Sequence, residues 1–232
     1  VFGAWNRPAW DTLPNLGTFS LLENFGLSAG LFSNLAILGG IVALSIYIER
    51  RRKDSAERKQ KLEPHWLTGP WPLIAGAFAL ALVNIATLVL AGRPWGVTSA
   101  FALWGSKALA TTGMDVAAWS YWSTPGRAAQ LSAPVLSDIT SIMNIGIILG
   151  ALLAAGLAGR FAPIWRVPLR SLLAAVLGGL LLGYGARLAY GCNIGAFFSG
   201  VASSSLHGWV WFIAAFIGNI LGTRLRPMFR LA

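Results

Sequence analysis

Apolar residues in this chain fall into five runs long enough to cross a membrane, and short segments carrying most of the charge separate them. A hydrocarbon core about 30 Å thick takes roughly 20 residues of helix to cross. The runs are about Leu27–Ile48, Trp71–Leu90, Ser137–Leu157, Leu169–Leu188 and Leu206–Leu221. Gly69-Pro70 suits a helix start before the second run, and Asp138 favours the N-terminus of the third. Two further stretches are apolar but too short to span. Gly92-Arg93-Pro94-Trp95-Gly96 leads into Val97–Leu109, and Tyr190-Gly191-Cys192-Asn193-Ile194-Gly195 leads into Ala196–Ser205. Each follows a run and joins a glycine-rich break to about a dozen apolar residues, the pattern of a re-entrant or broken helix. Such backbone is tolerated at membrane depth only against protein or a water-filled cavity.

The pattern predicts an all-α fold: a polytopic membrane helix bundle of about five transmembrane helices plus two short re-entrant helices. The whole of 1–232 reads as a single transmembrane domain, with a basic cytoplasmic loop at 49–63 and re-entrant segments at 92–111 and 190–205. Two units of helix, break, short helix and returning helix run in the same direction, as in a weak parallel repeat.

Charge sets the orientation. Segments 49–61 and 160–170 and the tail hold thirteen of the eighteen Lys and Arg residues. Five spans with an outside N-terminus place all three on the cytoplasmic side, as the positive-inside rule asks. The other side keeps Arg7, Arg93, Lys107 and Arg127, with Arg187 near the outer end of the fourth span. Trp5, Trp10, Trp119, Tyr121 and Trp122 fall in outer segments, where amphipathic rings favour the interface. The expected arrangement is therefore multi-pass, with a cytoplasmic C-terminus and the lipid bilayer as first partner.

Composition agrees and narrows the classes. The chain is 56% hydrophobic and 11% charged, whereas about a quarter of an ordinary soluble domain is charged. The net charge of +10 is bunched between apolar runs rather than laid out as a phosphate-tracking stripe, so nucleic acid is not an expected partner. One cysteine excludes an internal disulfide and a multi-thiolate metal site. No Walker loop, nucleophile elbow or zinc spacing is present, and neither enzymatic activity nor a cofactor is expected.

The densest chemistry lies at the second break. Gly191 and Gly195 permit close backbone approach. A helix starting after Cys192 aims free N–H groups and its positive dipole end at the break, which favours an anion. Cys192 adds a polarisable sulfur, Asn193 stands beside it, and Arg187 brings a charge too costly to leave in lipid. Singly, each has a plain reading: a packing cysteine, glycines at helix contacts, a snorkelling arginine. Their clustering at one break favours a site. At the first break Arg93, Gly96, Thr98 and Ser99 form a weaker candidate, with interfacial anchoring and turn formation as the plain alternatives. Lys107 and His207 read as interfacial residues, and Asn144 as a cross-helix hydrogen-bonding residue.

The run Gly191-Cys192-Asn193-Ile194-Gly195-Ala196-Phe197-Phe198-Ser199-Gly200 with His207-Gly208-Trp209 resembles the C-terminal signature of the YeeE/YedE family of sulfur transporters. Gly92-Arg93-Pro94-Trp95-Gly96-Val97-Thr98-Ser99-Ala100-Phe101 with Trp104-Gly105 resembles that family's middle motif. The resemblance, to the C-terminal portion of such proteins, implies uptake of thiosulfate or a related small sulfur anion across the bacterial inner membrane. It also implies passage by contact with cysteine thiols at a constriction formed by short helices, with Cys192 in the place of the motif cysteine. Family members are longer and several carry further cysteines, whereas this chain has Cys192 alone. A missing N-terminal half or a cytoplasmic sulfur carrier is accordingly an expected partner. Two other classes fit the same residues: a membrane sulfurtransferase carrying a persulfide on Cys192, and a non-transporting membrane subunit of a larger complex.

Overall fold

The structure is a computed structural model that describes residues 1–14, 17–51, 65, 68–69, 71–163, 165 and onward to 229. Most of the basic loop expected at 49–63 lies outside the described residues. Among the described residues the regular elements are all helices, joined by turns and loops. Two short N-terminal turns, α1 (Phe2–Trp5) and α2 (Arg7–Asp11), precede α3 (Leu21–Arg51), α4 (Leu73–Ala91), α5 (Thr98–Ala110) and α6 (Pro125–Ser132). Then follow α7 (Ile139–Leu157), α8 (Leu169–Leu188), a π-helical turn at Asn193–Phe198, α9 (Ser199–Ala202) and α10 (Leu206–Leu225).

Five helical stretches, built on α3, α4, α7, α8 and α10, are long and apolar enough to cross a bilayer. The chain is thus a multi-pass helical membrane protein. Their residues form helix because long apolar side chains lose little rotamer freedom there, and because lipid leaves no other partner for the backbone. α3 is interrupted at Gly26, whose φ of 80° and ψ of 166° no helix contains. The apolar run expected from Leu27 therefore starts at a real break, and Leu21–Phe25 forms a separate turn before it. α4 ends on Gly92 in the left-handed conformation, with its N–H bonded to the Leu88 carbonyl. α7 begins at Asp138, whose carboxylate accepts the Ser141 N–H at 2.8 Å as a helix cap.

The packed heart lies around α5 rather than between the spans. Leu103, Val116 and Trp122 are fully buried, with Trp104, Leu109, Trp119, Tyr121 and Leu131 against them. This corrects the expectation for Trp122: it is 1% exposed, not interfacial. Its indole Nε1 donates to Ser106 Oγ at 3.0 Å, which satisfies the polar end of a ring otherwise surrounded by apolar atoms. Lys107 also departs from its reading as an interfacial anchor. Its ammonium donates to the carbonyls of Leu131 at 2.5 Å and Ala133 at 2.7 Å, a cation at the C-terminal end of α6. By contrast α4 buries none of its residues.

Candidate functional site

The second break is built from the end of α8. The helix stops at Ala189, and Tyr190 follows with φ of 55°, a conformation rarely adopted by a residue with a large side chain. The His207 ring nitrogen Nε2 lies 2.8 Å from the Ala189 carbonyl oxygen, so the start of α10 fastens the break. This is a structural role beyond the interfacial one expected for His207. Gly191 comes next and is buried against the turn that follows. A Cβ on it would lie 2.7 Å from the Ala196 nitrogen and 3.0 Å from the Gly195 carbonyl carbon, so the close approach requires glycine.

Cys192 is extended (φ −95°, ψ −166°) and forms the N-terminal boundary of the π turn, where no side chain caps the free N–H groups. Its carbonyl accepts the Ala196 N–H at 2.8 Å. The thiol is free and half-buried, and makes no hydrogen bond among the described residues. Asn193 is exposed at the first position of the turn. Around Gly195 nothing lies within 4 Å of a built Cβ, so that glycine borders open space, unlike Gly191. The short α-helix expected over Ala196–Ser205 is instead a π turn followed by the single-turn α9. The π turn inserts a residue into the helix, a feature frequent at functional sites and invisible to apolar periodicity.

α9 and α10 cross closely, because a Cβ on Gly208 would stand 2.8 Å from the Val201 nitrogen. Asn34 of α3 then holds both. Its Nδ2 donates to the Val201 carbonyl at 2.8 Å, and its Oδ1 accepts the Trp209 indole N–H at 3.1 Å. Backbone bonds from Leu21 N–H to the Ser204 carbonyl and from Leu206 N–H to the Phe19 carbonyl complete the attachment. Asn34 is buried at 6% exposure. One asparagine among apolar residues carries no local signal, so this role is not legible in the sequence.

The first break is fastened to α7. The Asn144 amide donates to the Val97 carbonyl at 3.0 Å, Ser99 Oγ donates to Thr140 Oγ1 at 3.2 Å, and the Trp104 indole donates to Ser141 Oγ at 2.8 Å. Asn144 thus bonds across helices as its position implied. Ser99, expected to offer its hydroxyl to an anion, has that hydroxyl engaged within the protein. Thr98 opens α5, which has no side-chain cap, so the N–H groups at its start are free of one. Arg93 is exposed and lines a cavity of about 270 Å³ with Gln130, Ser137 and Asp138. Gly96 lies nearby, its built Cβ 4.0 Å from an Arg93 guanidinium nitrogen. Burial pushes the Asp138 carboxyl up. The hydrogen bonds from Ser141 and Gln130, aided by the charge of Arg93, outweigh it and hold the group below the ordinary carboxylate range.

Arg187 belongs to a third place. Its guanidinium carbon lies 4.3 Å from the centroid of the Tyr121 ring, where Arg127 sits at 4.2 Å and Arg7 at 5.9 Å. Tyr121, read from sequence as an interfacial ring, is the hub of these cations. The structure therefore gathers Gly191, Cys192, Asn193 and Gly195 at one break, and Arg93, Gly96, Thr98 and Ser99 at the other. It ties Arg187 to Tyr121.

The family profile described as sulphur transport matches residues 4–221. Among curated proteins, the chain is 34% identical over 177 residues to a probable transporter YedE of Escherichia coli, covering 74% of this chain and 42% of that protein. A probable transporter YedE of Salmonella typhimurium is 33% identical over the same shares. The thiosulfate transporter TsuA of Spirochaeta thermophila is 46% identical over 77 residues, 32% of this chain and 23% of that protein. The match thus spans less than half the length of these relatives. No solved structure gives a significant match.

Proposed function

The chain belongs to the sulphur transport family, and from that premise we propose that it forms part of a path for a small sulfur-containing anion, most simply thiosulfate, across the bacterial inner membrane. The observation that carries this reading is Cys192: a free, half-buried thiol at the uncapped start of a π turn, where Gly191 packs closely against the turn and Gly195 borders open space. The thiol offers a weak donor to the anion's terminal sulfur, and the N–H groups beginning the turn offer positive partial charge to its oxygens. The break at Gly92–Val97, with Arg93 and Gly96 before the uncapped start of α5 and Thr98 at it, supplies the corresponding surface of the first unit. Both segments act as re-entrant elements, with the C-terminus cytoplasmic.

The step is non-covalent, so no persulfide forms and no chemistry occurs on the ion. A 46% identical stretch of a thiosulfate transporter favours that anion over others. The bare surface of α4 and the partial match to longer relatives favour a further set of helices completing the path. Proteoliposomes test this with labelled thiosulfate. Cys192→Ser, folded as judged by size-exclusion and thermal melting, is expected to lose most uptake; uptake equal to the parent's would remove the thiol from the path. A persulfide on Cys192 found by mass spectrometry during turnover would replace transport with sulfur transfer.

A further inference from the structure

Three arginines from three separate segments converge on one phenol ring. Arg7 comes from α2, Arg127 from α6 and Arg187 from the last turn of α8, at 5.9, 4.2 and 4.3 Å from the Tyr121 centroid. Among the described residues one carboxylate answers them: Asp11, whose Oδ2 lies 3.4 Å from Arg7 Nε. Arg127 Nη1 donates to the Tyr121 carbonyl at 3.3 Å, which fixes the guanidinium without neutralising it. Arg187 Nη2 is buried and has no hydrogen-bond partner among the described residues. A ring face attracts a cation but does not cancel its charge, and like charges held this close repel. A buried guanidinium nitrogen with no acceptor is costly for the same reason. The side chains are nevertheless placed by structure: α1 crosses α8 at this point, a Cβ on Gly3 falling 2.8 Å from Arg187 Cβ.

We propose that Arg7, Arg127 and Arg187, arranged by Tyr121, form a capture site for a divalent oxyanion, separate from the cysteine break and preceding it on the path. Arg187 stands five residues before Cys192, at the end of α8 where the break opens. Guanidinium groups present planar pairs of donors that match the oxygens of a tetrahedral anion, and the surplus positive charge raises its local concentration. The cage has no thiol, so it reads charge and oxygen geometry and holds sulfate as readily as thiosulfate. Selection for sulfur then falls to Cys192. The direction of travel rests on the transport reading; the binding does not.

The same donors suit a lipid phosphate, and the test separates the two sources. The purified protein in phosphatidylcholine nanodiscs at low salt is titrated calorimetrically with sodium sulfate. Saturable binding is expected, weakened about tenfold in Arg127→Gln, weakened similarly in Arg187→Lys, which keeps the charge but loses the planar fork, and unchanged in Cys192→Ser. No sulfate binding by the parent, or equal binding in parent and Arg127→Gln, overturns the site. Loss of sulfate binding when phosphatidylglycerol is added, with that lipid retained by the parent and not by Arg127→Gln, overturns it in favour of a headgroup. Sulfate binding without thiosulfate uptake sinks the transport reading alone, whereas uptake without sulfate binding sinks the capture site alone.

Discussion

Asn34 and Trp209 lie 175 residues apart in sequence and share a buried hydrogen bond of 3.1 Å. The same asparagine amide donates to the Val201 carbonyl at 2.8 Å. One side chain of α3 therefore fixes both the short helix after the second break and the span that returns from it. Interhelical hydrogen bonds in membranes are individually modest, but removing this amide leaves the Trp209 indole N–H without its partner and leaves the Val201 carbonyl only the Ser204 N–H. Asn34→Ala is expected to cost about 1–2 kcal/mol and to lower the melting temperature in detergent. An unchanged melting temperature, with Trp209 fluorescence also unchanged, would mean that other groups hold α9 to α10.

Gly191 and Gly195 occupy one motif and should respond differently to the same change. A methyl on Gly191 meets the Ala196 nitrogen at 2.7 Å, so the π turn must shift. A methyl on Gly195 meets nothing within 4 Å. Gly191→Ala should destabilise by about 1–3 kcal/mol, as overpacking does, and change the reactivity of Cys192 towards a membrane-permeant maleimide. Gly195→Ala should leave the melting temperature near the parent's. Equal melting temperatures for the two variants would contradict this difference.

Asp138 provides a pH test. Its carboxyl titrates below the ordinary range because Ser141 and Gln130 bond its charged form against the penalty of burial. A depressed folded pKa adds stability above the unfolded value near 3.9, and that stability is lost as pH falls through the folded value. Asp138→Ala removes the cap of α7 and should cost about 1–2 kcal/mol at neutral pH. Asp138→Asn keeps an acceptor for the helix start, and should cost less while flattening the loss of stability below about pH 4. Thermal melts across acid pH decide between a charged and a merely polar cap.

Lys107→Met tests the fastening of α6. The ammonium reaches two carbonyls at the end of that helix, so the variant should lose about 1–2 kcal/mol. Faster backbone amide exchange over 125–133 should accompany the loss. Exchange at the parent's rate would return Lys107 to the interfacial role that its sequence position implied.

The spans were legible because lipid imposes a length and a composition that five runs satisfy. Gly26 and Gly92 show how well glycine marked their ends, since one breaks α3 where the apolar run begins and the other caps α4. The fastenings were not legible. Asn34 and Ser141 act across 167 and 37 residues respectively, and pairings at that range leave no periodic trace. Trp122 was misplaced for a related reason. An indole suits an interface and a polar-ended core site equally, and only Ser106 decides which it occupies. Cys192 was found through a motif, whereas the cations around Tyr121 come from segments sharing no motif at all.

The π turn after Cys192 also has a rotational consequence. One extra residue in a helical turn advances everything on one side of it by about 100° relative to the other. The direction in which the thiol is presented is therefore a matter of phase, counted in residues between Gly191 and the glycine crossing at Gly208. Deleting Ile194 alone would keep Gly191, Cys192, Asn193 and Gly195 and still turn the sulfur away from the bearing that the turn gives it.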